Sequence, residues 1–178
     1  SDPAPSSLPD SSPGSVEGAA AFSFGTAGDI GADSSSTATL NALAGAGTNF
    51  FLAIGDLSYH QIAPESAWCS YVKEHVGADY PFELLVGNHE EKATSHGGFI
   101  DTFAACLPDR LGVSGMYAHQ YYFDYPPEAP LARFILIDPD LTRGANDAEY
   151  CKKGDTVNCA WLAARIDEAK RQGLWTIV

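Results

Sequence analysis

The chain has 178 residues, 45% of them hydrophobic, and a formal net charge of −13. That length suits one domain with a sizeable core, and no apolar run approaches the ~20 residues that a membrane span requires. The acidic balance argues against nucleic acid and membrane as partners; an anionic substrate would need a local reversal of the field, for which a bound metal ion is the usual agent.

Residues 1–19 begin SDPAPSSLPDSSPGSVEG and have almost nothing to bury. They read as a disordered Ser/Pro-rich tail or linker, with the folded domain expected over 20–178. No basic stretch followed by an apolar core is present there, so a signal peptide is either already removed or was never attached. A tail of this kind often follows an export signal, and the expected location is extracellular.

A rhythm of strands and helices follows. AAAFSFGTAGD (19–29) predicts a short strand ending at Gly28-Asp29, and STATLNALAGAG (36–47) a helix with Leu40, Leu43 and Ala44 on one side. TNFFLAIGD (48–56) predicts a second strand, ending at Gly55-Asp56. PESAWCSYVKEHVG (64–77) carries Trp68, Tyr71, Val72 and His75 at helical spacing, and PFELLVGN (81–88) is a third strand, ending at Gly87-Asn88. This alternation implies an α/β fold with a largely parallel sheet. A helix near 97–106 comes next. HQYYFDY (119–125) and ARFILID (132–138) then predict a hairpin, with Tyr121, Phe123 and Tyr125 on its core face. NCAWLAARIDEAKRQG (158–173) is the clearest helix, with Leu162, Ile166 and Ala169 inward and its carboxylates on a solvated face. LWTIV (174–178) reads as a further buried strand.

The four cysteines are Cys69, Cys106, Cys151 and Cys159. None forms a Cys-x-x-Cys pair, which argues against a zinc knuckle or a thioredoxin-like redox site. Two disulfides in a secreted protein is the favoured reading, with Cys151–Cys159 as a local loop and Cys69–Cys106 as the longer link; four free buried thiols is the alternative.

The three strand ends carry the chemistry. Asp or Asn after glycine is commonly only a turn residue, but here the pattern recurs three times at the carboxyl ends of parallel strands, where ligand crevices form. Asp29, Asp56 and Asn88 would converge there, with Tyr59 turning back towards them. Converging carboxylates repel unless a cation lies between them. Oxygen ligands with a phenol suit Fe, Mn, Mg or Zn. Other signatures fail: HEEKATSH has Ala93 where a second zinc histidine belongs, GVSGM lacks the last glycine of a nucleophile elbow, and GTAGDIG has the wrong spacing for a dinucleotide loop.

GDIG (28–31), GDLSY (55–59) and GNHE (87–90) resemble the first three signature blocks of the purple acid phosphatases, within the calcineurin-like metallophosphoesterases. YYFDY, FILID, CAWLAARIDEA and LWTIV resemble later parts of the same domain, so the likeness covers about residues 20–178. The resemblance implies a four-layer α/β/β/α sandwich, of which the N-terminal part is present, and hydrolysis of phosphate esters at two metal ions. Asp29 and Tyr59 would bind the first metal, ferric iron in the tyrosine-containing branch. Asp56 would bridge, and Asn88 would bind the second metal, zinc, manganese or iron. His89 would contact the phosphate or assist the leaving group. Many relatives carry a histidine where Gly31 stands. The family's two further histidine blocks are expected after Val178; His60, His75, His96 and His119 match none of its ligand positions. A fragment of this kind should show exposed sheet edges and little activity alone. A phosphodiesterase, or a non-catalytic fragment completed by another chain, is the alternative.

Overall fold

A computed structural model describes residues 21–90, 97–138 and 156–178. The expected tail 1–19, His96 and Cys151 lie outside the described residues. Strand β1 (Phe24–Ala27), helix α1 (Ser34–Ala46), β2 (Phe50–Ile54), α2 (Glu65–Val76) and β3 (Phe82–Leu85) follow in order. They form a parallel sheet of order β1-β2-β3, with Phe24 opposite Phe50 and Phe51 opposite Phe82. Helix α3 (Ile100–Cys106) comes next, then β4 (Ser114–Met116), β5 (Gln120–Tyr125), β6 (Ala132–Ile137), α4 (Thr156–Arg171) and β7 (Trp175–Ile177). These four strands make a second sheet in chain order: β4 to β6 are antiparallel and β7 runs parallel to β6.

The alternation of side chains explains the layering. On the first sheet Phe51, Ala53, Phe82 and Leu84 face the helices, packing with Leu40, Leu43, Trp68, Val72, Ile100 and Phe103. Phe50 and Leu52 face the second sheet and meet Tyr121, Phe123, Phe134 and Leu136. Aromatic rings dominate this inter-sheet layer: Phe123 and Phe134 stack 5.0 Å apart, and Phe50 meets both edge-on. The outer face of the second sheet carries α4. There buried Arg133 forks onto Asp124 at 2.7 and 2.8 Å and reaches Glu168 of α4 at 2.9 Å. The result is helices, sheet, sheet, helix, the α/β/β/α order expected.

Local signals place the elements. Asp33 caps α1 by accepting the N–H groups of Ser35 and Ser36, and left-handed Gly47 ends the helix. Cys69 and Cys106 form a disulfide that ties α2 to the end of α3. Cys159 is also disulfide-bonded. Two expectations need correction. Glu168 does not sit on a solvated face; it is ion-paired to buried Arg133. Strand β4 was not anticipated, because Ser114, Gly115 and Met116 are all exposed and offer no alternation to read. Where the two sheets open near β1 and β7, a cleft of about 420 Å³ is lined by Ile54, Leu85, Phe134, Leu136, Ile177 and Val178. A third expectation also needs correction: β7 is a strand but not a buried one, with Trp175 80% and Val178 63% exposed.

Candidate metal centre

The first sheet brings its three strand ends to one rim. Its ladder runs on past the strands, with Asp29 N–H donating to Gly55 O at 3.2 Å and Ile30 N–H to Asp56 O at 2.9 Å. Parallel register therefore places the two aspartates side by side. Close approach is what the glycines permit. A Cβ on Gly87 would stand 2.2 Å from Asp56 Oδ1 and 2.4 Å from Asp56 N, so any side chain there would displace the carboxylate. Asp29, Asp56 and Tyr59 all adopt left-handed backbone, with φ of +53°, +54° and +49°, a region non-glycine residues rarely enter.

These turns bring the side chains together. The Tyr59 hydroxyl is shared between Asp29 Oδ1 and Asp56 Oδ2, the latter at 3.0 Å. The hydrogen bond to Asp29, then burial and the bond to Asp56, push the phenol's pKa well above its ordinary value. The His89 ring lies against Tyr59, centroids 4.6 Å apart, and His89 N–H donates to Asp56 Oδ1 at 3.3 Å. Asn88 is exposed and lines, with Asp56, Gly87 and Asp138, a hollow of about 230 Å³. Four of the five residues singled out from the sequence are thus linked by direct contacts, and Asn88 shares a wall with one of them.

Glu90 completes the arrangement from below. It is fully buried, and its carboxylate accepts three N–H groups: Asp56 at 2.9 Å and Gly87 at 3.2 Å on Oε2, and Leu57 at 2.8 Å on Oε1. Burial raises its pKa and these N–H donors oppose that shift. One carboxylate therefore holds the exits of β2 and β3, which carry Asp56 and Asn88. Sequence reasoning assigned Glu90 no role. Its signal was a carboxylate three residues beyond Gly87, close enough to fold back on that N–H. Asp138 was missed too; it arrives from the second sheet at the end of β6.

The donor set fits a hard cation. Two carboxylates, a phenol and a carboxamide offer oxygen only, and the Tyr59 proton occupies the bridging place that a cation could take. Among the described residues no three His, Cys, Asp or Glu side chains gather round one point; the grouping here depends on Tyr59 and Asn88.

The family model of the calcineurin-like phosphoesterases matches residues 22–175. The chain belongs to the calcineurin-like phosphoesterases. These are metal-dependent hydrolases of phosphate esters that work at a dinuclear centre. For a calcineurin-like phosphoesterase, phosphate esters are the substrate class. No curated protein matches the chain.

Proposed function

We propose that this calcineurin-like phosphoesterase is of the purple acid phosphatase type, hydrolysing phosphate monoesters outside the cell. One observation carries the reading: a tyrosine three residues after the central aspartate turns its phenol onto both Asp29 and Asp56. A phenol held protonated by carboxylates ionises only for a strong Lewis acid, and ferric iron is the one the resemblance implies. Asp29 and Tyr59 would hold that iron, Asp56 would bridge, and Asn88 would hold zinc, manganese or a second iron. When bound, the pair supplies an activated water and neutralises phosphoryl charge.

The chain's own residues do the rest. Glu90 ties together the two loops that carry Asp56 and Asn88. His89, its ring against Tyr59 and its neighbour Asn88 on the wall of the hollow, would donate a proton to a leaving oxygen. The Cys69–Cys106 disulfide supports an oxidising, extracellular setting. A second reading is metal binding without turnover, since the four residues expected to hold metal, Asp29, Asp56, Tyr59 and Asn88, offer oxygen donors.

The experiment compares an aryl phosphate with a bis-aryl phosphate as substrates, with iron and zinc supplied. The protein should prefer the monoester, and Asp56→Asn should remove nearly all of its activity. Undiminished turnover in that variant would refute a bridging Asp56; preference for the diester would mark a phosphodiesterase.

A further inference from the structure

We infer that Gln61 is a positioning residue for Tyr59: its side chain closes the strained turn that aims the phenol at Asp29. This rests on the reading of Tyr59 as a metal ligand. The sheet ladder continues beyond β1 and β2 through a row of N–H groups. Asp29, Ile30 and Gly31 donate in turn to the carbonyls of Gly55, Asp56 and Leu57, at 3.2, 2.9 and 2.7 Å. The next donor, Ala32 N–H, goes to no backbone carbonyl. It meets Gln61 Oε1 at 2.6 Å. The side chain thus continues the ladder where the backbone has left it to make the turn.

That turn needs holding. Tyr59 and His60 lie consecutively in left-handed backbone, with φ of +49° and +56°, a conformation that persists in non-glycine residues only when the surroundings enforce it. Two tethers flank them. Before the turn, Ser58 Oγ donates to Gly97 O at 2.6 Å. After it, Gln61 is fixed by its own N–H on Ser58 O at 2.9 Å and by its carboxamide on Ala32. The loop that receives the carboxamide is itself anchored, with Trp68 Nε1–H donating to Gly31 O at 2.8 Å. Gly31 leaves the space: a Cβ there would stand 2.8 Å from Gln61 Oε1. The clamp therefore joins the Asp29 loop to the Tyr59 turn, and those two residues must meet for iron to be held between them.

The bland alternative is an exposed glutamine that caps a loop with no effect on the site. Gln61→Met keeps reach and removes the acceptor; Gln61→Glu keeps an acceptor. Three measurements on the whole chain decide: hydrogen exchange at Ala32 in metal-free protein, ferric iron affinity by chelator competition, and the visible tyrosinate-to-iron absorption band. Gln61→Met should speed Ala32 exchange, weaken iron binding about 3- to 10-fold, as loss of one hydrogen bond implies, and shift the band, while Gln61→Glu retains parental behaviour. Parental affinity and band in Gln61→Met would overturn the inference, as would equal losses in both variants. Tyr59→Phe serves as the control. If it abolishes the band while Gln61→Met leaves it untouched, only the clamp is refuted. If the parent shows no band, the reading of Tyr59 as an iron ligand fails, and the clamp's purpose with it.

Discussion

Replacing Glu90 tests how the rim is built. Its carboxylate is fully buried and receives three backbone N–H groups from the exits of β2 and β3. In Glu90→Gln the amide oxygen can keep the Asp56 and Gly87 donors, but the NH₂ then faces Leu57 N–H, donor against donor. One charge-assisted bond is lost, about 2 kcal/mol. In Glu90→Ala all three donors lose their acceptor inside the protein. Each buried orphan costs about 1–3 kcal/mol, offset in part by removing the buried charge, so about 3–5 kcal/mol is expected. Urea unfolding followed by tryptophan fluorescence measures this directly, because Trp68 is fully buried against Phe103. A loss of 2 kcal/mol corresponds to a drop in Tm of about 4–8 °C for a chain of this size. The graded order parent, Gln, Ala is the signature. Glu90→Gln within about 0.5 kcal/mol of the parent would refute the claim that one carboxylate ties the two loops, since that is the range of an ordinary surface change.

The Cys69–Cys106 bridge spans 37 residues, so its replacement by two alanines should cost up to about 4 kcal/mol by loop entropy, read as a lower urea midpoint in the double variant. Glu83 is buried on β3 with Oε1 on Arg110 N–H and no hydrogen-bond partner for Oε2, and burial raises its pKa from 4.5 to about 7. The folded state thus holds a proton that the unfolded chain releases between these values. The stability this group contributes is full below pH 4.5 and is lost as pH rises to about 7, a change of about 3 kcal/mol. Glu83→Gln should flatten the fall in urea midpoint over that window; an unchanged slope would locate its source elsewhere.

Much of the architecture was legible because local signals agreed. Each strand of the first sheet is a short apolar run closed by glycine, helices α1, α2 and α4 each run out at a glycine, and β5 alternates in burial from Gln120 to Phe123. The site was legible for the same reason: its residues follow strand ends, and strand ends in a parallel sheet share one rim. What stayed hidden depended on contacts distant in sequence. Glu168 looks like any exposed helix carboxylate until Arg133 is found beneath it. Glu83 breaks the apolar face of β3, and nothing nearby in the chain announces that Tyr117 and Arg110 close over it. Glu90 and Gln61 are ordinary polar residues in the chain; their roles come from N–H groups on other loops, which only the folded backbone brings within reach.

The left-handed backbone at Asp29, Asp56 and Tyr59 has an evolutionary consequence. Each of these residues gives up about 1 kcal/mol that glycine would not. A lineage selected only for durability would drift towards glycine or asparagine at these sites and become sturdier as it fell silent. On the proposed reading, that strain is what bringing two carboxylates and a phenol to one rim requires; His60 and Ala118 show that the fold also places other side chains in the same conformation.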